Sequence, residues 1–198
     1  MKYFILVLFL LTSIYSYSYE NKKTKVKKTL EIHSSQFCGA SIDFLKKGED
    51  KKQQIKLSEK AKLNIEQSVS TFKFYGAKVA ANAMCQNLDG VNYTGSEQEW
   101  AAYLSNALNG IKKSGATDIN LTLSAGADLM FPERGNVKEF IITASFDKNK
   151  QIILNYVYLN LKSNTVYSVS VSGAQKMQKY LKKEIIRLVN SITFIDKE

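Results

Sequence analysis

The sequence predicts an α+β fold in which an antiparallel β-sheet, ending in a C-terminal meander, is flanked by two amphipathic helices as a layered sandwich. Three apolar or alternating runs, at 137–146, 151–161 and 165–172, are joined by short polar links. Short links make sequential strands antiparallel neighbours. Apolar residues recur at helical spacing after Ser96 and again after Gly173, which predicts the two helices.

The three late runs carry the pattern expected of strands. In the third run Tyr167, Val169 and Val171 share one parity, and serines fill most of the other. Successive strand side chains point to opposite faces, so this run has one apolar and one hydroxyl-rich face. The middle run is apolar on both parities, which is typical of a central strand that is covered on both faces, or covered on one face and lined with aromatic residues on the other. Asn149 and Asn164 tolerate the left-handed conformation of tight turns.

Each predicted helix has a recognisable apolar stripe. Ser96 and Glu99 have the spacing of a capping box, which predicts that the Ser96 hydroxyl accepts from the amide of Glu99 and that the Glu99 carboxylate accepts from the amide of Ser96. The stripe of this helix consists of Trp100, Leu104, Ala107, Leu108 and Ile111. The stripe of the last helix consists of Met177, Leu181, Ile185, Leu188 and Ile192. Its lysines lie mostly off the stripe, where they form a solvated face.

The first half of the chain gives weaker signals. Residues 30–44 read as a short strand, a loop and a second short apolar piece, and 46–52 as a charged turn or loop around Gly48. Residues 58–67 leave two interpretations open: Ser58 caps a short helix, or Ile55 and Leu57 end a strand. The stretch from 69 to 86 reads as a strand pair broken at Gly76, although its alanines leave a helical interpretation open.

The N-terminus has the pattern of a secretory signal peptide. A lysine precedes an apolar run that is too short to span a bilayer comfortably, and small residues follow. We expect residues 1–18 to be the signal peptide with cleavage after Ser18, 19–28 a basic, flexible leader, and 29–198 a single α+β domain. The mature protein is then periplasmic or secreted, without a transmembrane span. An uncleaved membrane anchor is the alternative.

The reactive side chains are few. Cys38 and Cys85 are candidates for a disulfide, which an exported compartment permits; otherwise Cys85 is a small buried side chain and Cys38 a free thiol. His33 is the only histidine, which excludes a multi-histidine metal site. We therefore expect no catalytic residues, no metal and no cofactor. The acids that a loop carboxylate site could use are Asp118, Asp128, Glu133 and Asp147.

The chain is basic, with 28 Lys plus Arg against 18 Asp plus Glu and a formal net charge of +10. Almost all of the cations are lysines, which match phosphate or base edges poorly compared with arginine. This argues against nucleic acid and favours an anionic envelope surface or an acidic protein. Tyr156, Tyr158 and Tyr167 are the candidate ligand-binding residues, because they would line one sheet face as a groove. The alternative is that these rings pack under a helix.

The order of elements over 96–194, ending in a helix followed by Ser-Ile-Thr-Phe at 191–194, resembles the PsbP-like and DcrB-like group of small exported α/β/α sandwich proteins. The resemblance implies a non-enzymatic extracytoplasmic binding or assembly factor for a protein or small-molecule ligand, and it assigns no functional residue. Two alternatives stay open: an exported hydrolase with a carboxylate site built from loop residues such as Asp118, Asp128 and Asp147, and a cationic protein that interacts with the envelope surface.

Overall fold

A computed structural model describes residues 31–35, 37–125, 130 and 136–194. The expected signal peptide and leader lie outside these residues. The described part of the protein is a mixed α+β structure that consists mostly of antiparallel β-sheet and has two α-helices. None of the helices described is both long enough and apolar enough to cross a bilayer.

In the described part of the chain, five strands precede the first helix, four lie between the two helices, and one short strand follows the second. The early strands are β1 (Glu31–Ser35), β2 (Ala40–Phe44), β3 (Glu49–Lys56), β4 (Lys62–Phe74) and β5 (Ala77–Asp89). The later strands are β6 (Thr117–Leu123), β7 (Val137–Phe146), β8 (Asn149–Asn160), β9 (Thr165–Ala174) and β10 (Thr193–Phe194). Helix α1 spans Glu97–Lys113, and helix α2 spans Gln178–Asn190 after one 3₁₀ turn.

The strands of the described residues form two sheets. The large sheet has seven strands in the order β3-β4-β5-β9-β8-β7-β6, and the small sheet has three in the order β1-β2-β10. Every pairing is antiparallel. The three late runs pair in sequence, β7 with β8 and β8 with β9. Strands β3 and β6 are the edges of the large sheet.

The two faces of the large sheet bury different helices. On one face, Trp100 and Ile111 of α1 pack in a cluster with Phe140, Ile142 and Val157. On the other, α2 and the small sheet cover β5, β8 and β9. The predicted stripe of α2 accounts for this: Leu181, Ile185 and Leu188 are fully buried, while Met177 and Ile192 lie just outside the helix and are partly buried.

The prediction of a loop over 46–52 is wrong from Glu49 onward, and for 58–67 the structure has the strand end rather than the capped helix, since β3 ends at Lys56. The residues from Glu49 to Lys52 do not form a loop, because they begin β3, whose backbone pairs with β4. Ser58 does not cap a helix; it lies in the turn between β3 and β4, where Leu57 and Ser58 donate to the carbonyl of Ala61. The alanine-rich stretch is strand β5 rather than a helix, and its buried Ala81 and Ala83 face α2 and the small sheet.

A disulfide connects the two sheets. Cys38, just before β2, is bonded to Cys85 in β5 with an S–S distance of 2.06 Å. Phe44 and Ile42 of β2 are buried in the same cluster as Cys85 and α2. The small sheet is therefore held over β5 both covalently and by apolar packing.

Candidate functional site

One end of the large sheet collects loops from most of the chain. The β4–β5 turn, the β7–β8 turn, the start of β6 and the start of α2 all lie there, as the strand register requires. Residues near the ends of these strands oppose one another in the pairs Val79 with Gly173, Ala174 with Gln151, and Thr117 with Ser145. The end of α1 reaches the same place because β6 begins a few residues after Lys113.

Exposed lysines concentrate at this end, which we call the lysine-rich end. They come from the β2–β3 loop, the β4–β5 hairpin, the end of α1, the β7–β8 hairpin and the start of α2. They are Lys46, Lys47, Lys73, Lys78, Lys112, Lys113, Lys148, Lys150, Lys176 and Lys179. Few acids accompany them, since the sequence has no Asp or Glu in 67–88 or in 148–183. The result is a local excess of positive charge on one side of the molecule.

The β4–β5 hairpin is the clearest part of this end. Lys73 lies directly opposite Lys78 in the pairing, and both side chains are exposed. Like charges in that position destabilise a strand pair. Between them, Tyr75 is 94% exposed and adopts a left-handed backbone with φ of 46°. Hairpin stability does not account for this combination of residues.

The hairpin tip is attached to the start of α2 through aromatic rings. Phe74 stacks on Tyr180, with ring centroids 3.4 Å apart, and meets Tyr75 edge-on at 4.5 Å. Burial raises the pKa of Tyr180 to about 12, with Glu184 adding to the effect and Arg187 opposing it, so the phenol stays neutral at ordinary pH. The first turn of α2 carries no acid. Because cations are unfavourable at a helix N-terminus, Lys176 and Lys179 do not serve to stabilise α2.

The three candidate tyrosines lie on the α2 face of the sheet. Tyr156 and Tyr167 are buried and Tyr158 is half-buried. Phe194 of β10 packs against Tyr158 and Tyr167, with ring centroids 5.4 and 6.2 Å away. Burial raises the pKa of Tyr167. Tyr158 and Tyr167 are therefore in contact with the small sheet, and the role of all three tyrosines in ligand binding stays a prediction.

The candidate carboxylates are divided between described and undescribed residues. Asp118 and Asp147 are exposed at the lysine-rich end, at the start of β6 and in the β7–β8 turn. Asp128 and Glu133 lie outside the described residues. Among the residues that are described, no group of three or more His, Cys, Asp and Glu side chains is placed to hold a metal ion.

The sequence did not identify Glu66, a buried carboxylate at the junction of the two sheets, as a candidate residue. Glu66 accepts a hydrogen bond from Ser35 at 2.8 Å and from the amide of Phe37 at 3.3 Å, and Lys52 approaches it at 2.9 Å. Burial alone would raise the pKa of Glu66, but these three donors outweigh it and hold the pKa below its usual value. His33 lies 3.1 Å from Asp50 nearby. With both cysteines bonded, no thiol is present for Cys–His chemistry.

A small cavity lies at the other end of the sheet. It has a volume of about 20 Å³ and is lined mainly by apolar and aromatic side chains, among them Tyr93, Trp100, Tyr103 and Leu159. That is room for about one water molecule, whereas small-molecule pockets span roughly 300–1,000 Å³. This cavity therefore does not accommodate a metabolite-sized ligand.

The overall positive charge is evident from the sequence, but its location on the molecule is not. The signal available was the pair of acid-free stretches, 67–88 and 148–183, although their meeting at one end depends on the fold. Neither a family model nor a curated protein matches the chain. The candidate site therefore rests on the geometry and charge of these residues alone.

Proposed function

We propose that the protein is an exported, non-enzymatic binding protein that docks on an anionic envelope surface through its lysine-rich end. The observation that carries this proposal is the collection of exposed lysines from five separate segments at one end of the sheet. Lysine is a strongly hydrated point charge, suited to a diffuse anionic surface rather than to one bidentate ligand. The expected signal peptide would deliver the protein to such a surface.

The resemblance to PsbP-like and DcrB-like proteins, which we propose as well, agrees with a binding role. A helix on each face of an antiparallel sheet supports a layered sandwich of that kind, with β7, β8 and β9 as its meander. The resemblance implies that this protein has a binding or assembly role outside the cytoplasm. A groove at Tyr156, Tyr158 and Tyr167 has less support, because the rings contact Phe194 or are buried.

The test compares two variants that lose the same charge at opposite ends. In the first, Lys73, Lys78, Lys176 and Lys179 are changed to Gln. In the matched control, Lys56, Lys60, Lys62 and Lys162, which are exposed at the opposite end, are changed to Gln. Each lysine near an anionic surface contributes about 1 kcal/mol, so the first variant should lose about a hundredfold or more in affinity for vesicles that contain anionic phospholipid.

The control variant should bind nearly as well as the wild type, and binding of both should weaken as salt rises above about 0.1 M, where the Debye length is about 10 Å. Co-sedimentation with the vesicles measures the affinity. Equal losses in the two variants would mean that net charge alone matters, and the lysine-rich end would not be the site. Binding that salt does not weaken would exclude the electrostatic mechanism.

The hydrolase alternative is limited to Asp118 and Asp147 among the described residues. Both are exposed turn or strand-end residues at the lysine-rich end. Substitution of either by Asn should leave vesicle binding unchanged or slightly stronger, because it removes a negative charge. A loss of hydrolytic activity in such a variant would support the alternative instead.

A further inference from the structure

The tip of the β4–β5 hairpin holds a residue that its turn disfavours. Phe74 opposes Ala77, so Tyr75 and Gly76 alone form the turn. Both have left-handed backbones, with φ of 46° and 79°. Two-residue turns with positive φ at both positions favour Asn-Gly, because a bulky side chain is strained in that conformation. The turn itself therefore does not explain why position 75 is a tyrosine.

Packing within the protein does not explain Tyr75 either. Tyr75 is 94% exposed, and its described ring contact is the edge-on one with Phe74. A Cβ added at the neighbouring Gly76 would meet nothing within 4 Å, so the tip projects into open space. Strained backbone persists mainly where it serves a function, so this strained, exposed aromatic residue at a projecting point is a candidate for contact with a partner.

The residues around Tyr75 indicate the chemistry of that partner. Tyr75 is amphipathic, with an apolar ring and a polar hydroxyl, and such residues are enriched where the hydrocarbon of a membrane meets water. Lys73 and Lys78 flank the tip with charges that attract anionic head groups, and their stems can lie along apolar surface. A hydrated anionic polymer would use the lysines but offers no apolar layer to receive the ring.

We propose that the β4–β5 hairpin tip docks into the head-group region of a bilayer that contains anionic phospholipid, with Tyr75 as its interfacial anchor. The inference rests on the proposed function and specifies its surface as lipid. The lysine-rich end attracts the protein to the bilayer, and the ring of Tyr75 leaves water when it arrives. Phe74 and Tyr180 support the tip from behind by stacking on each other.

The deciding variant is Tyr75→Asn. Asn-Gly suits the turn, so Tm should stay the same or rise, whereas affinity for anionic vesicles should fall about tenfold because one aromatic ring no longer leaves water. Affinity for heparin, a soluble polyanion, should be unchanged. The conservative Tyr75→Trp should bind vesicles at least as well as the wild type. Leu161→Asn removes an exposed apolar side chain at the opposite end and should leave binding unchanged.

The outcomes separate the anchor from the electrostatic site. If Tyr75→Asn binds vesicles like the wild type while the Lys73/Lys78/Lys176/Lys179 variant does not, the anchor is wrong and the proposed function stands. If Tyr75→Asn weakens heparin binding as much as vesicle binding, the ring contacts an anionic polymer and the lipid assignment is overturned. If the wild type binds heparin but not vesicles, the lipid assignment fails and the proposed function stands; if it binds neither, both proposals fail.

Discussion

Glu66 is a carboxylate at the junction of the two sheets, and its surroundings determine how it contributes to stability. It is 3% exposed and lies opposite Cys85 in the β4–β5 pairing, next to the disulfide. Ser35, from β1, donates to it and in turn accepts from the amide of Cys38 at 3.2 Å. The carboxylate thus links β1 and the Cys38 turn to β4. Such a group stabilises a fold while it is ionised and its donors are present.

Removing one donor should reveal this dependence on charge. We expect Ser35→Ala to lower the free energy of unfolding by about 2 kcal/mol at neutral pH, because hydrogen bonds to charged groups contribute about 1.5–3 kcal/mol. In a Glu66→Gln background the same change should cost about 1 kcal/mol or less. Urea unfolding of the four proteins measures the difference between these costs.

The pH dependence gives an independent check with a defined sign. The pKa of Glu66 is lowered in the folded state, so its stabilisation is fully present above the ordinary value of 4.5 and is lost as pH falls through the lower folded value. The cost of Ser35→Ala should therefore shrink in acid and stay constant in the Glu66→Gln background. A cost that is the same at every pH and in both backgrounds would mean that Ser35 acts through the amide of Cys38 alone.

At the scale of single elements, the sequence predicted those whose pattern is local. The strands from Val137 to Ala174 and both helices carry periodic apolar residues, and they form nearly where expected. Of the two hydrogen bonds predicted for the cap of α1, one is confirmed. Ser96 accepts from the amide of Glu99 at 3.3 Å, but the Glu99 carboxylate accepts from the amides of Thr94 and Gly95 rather than from Ser96. Gly95, with φ of 70°, belongs to the loop whose amides meet the carboxylate.

Elements defined by distant partners could not be predicted in this way. Strand β3 reads Glu-Asp-Lys-Lys-Gln-Gln-Ile-Lys and is exposed along nearly its whole length. It has no apolar alternation, so only its pairing with β4 makes it a strand. Charged residues are also what protects a sheet edge from pairing with other chains. The lysine-rich end could not be predicted from the sequence for the same reason, since its lysines come from segments far apart along the chain.

The small sheet is an element whose stability depends on the disulfide, and this can be measured. Replacing Cys38 by Ser and Cys85 by Ala should lower the free energy of unfolding by about 4 kcal/mol in the chain-entropy model, because the bridged residues are 47 apart. Hydrogen exchange should accelerate first in β1 and β2, while β8 and β9 stay protected. Uniform acceleration in both sheets would instead mean that they unfold as one unit, whereas unchanged exchange in β2 would mean that Ile42 and Phe44 suffice to hold it.

At the scale of the whole molecule, charged and aromatic residues are distributed unequally between the two ends of the large sheet. The lysine-rich end carries Tyr75, and the opposite end carries the start of α1 with Glu97 and Trp100. There, Lys138 lies 3.4 Å from Glu97 and 5.9 Å from the centre of the Trp100 ring, so this lysine is already engaged. A protein polarised in this way approaches an anionic surface in one orientation.

Trp100 allows this orientation to be tested, because it is the only tryptophan and is 6% exposed, far from the proposed docking tip. Anionic vesicles should therefore leave the emission of the wild type unchanged. In Tyr75→Trp, the added indole should be exposed in solution and should leave water on binding, so its emission should shift to the blue and become protected from aqueous iodide. Trp100 supplies a constant background in both proteins. A shift in the wild type, or none in a Tyr75→Trp protein that still binds, would show that another part of the surface faces the bilayer.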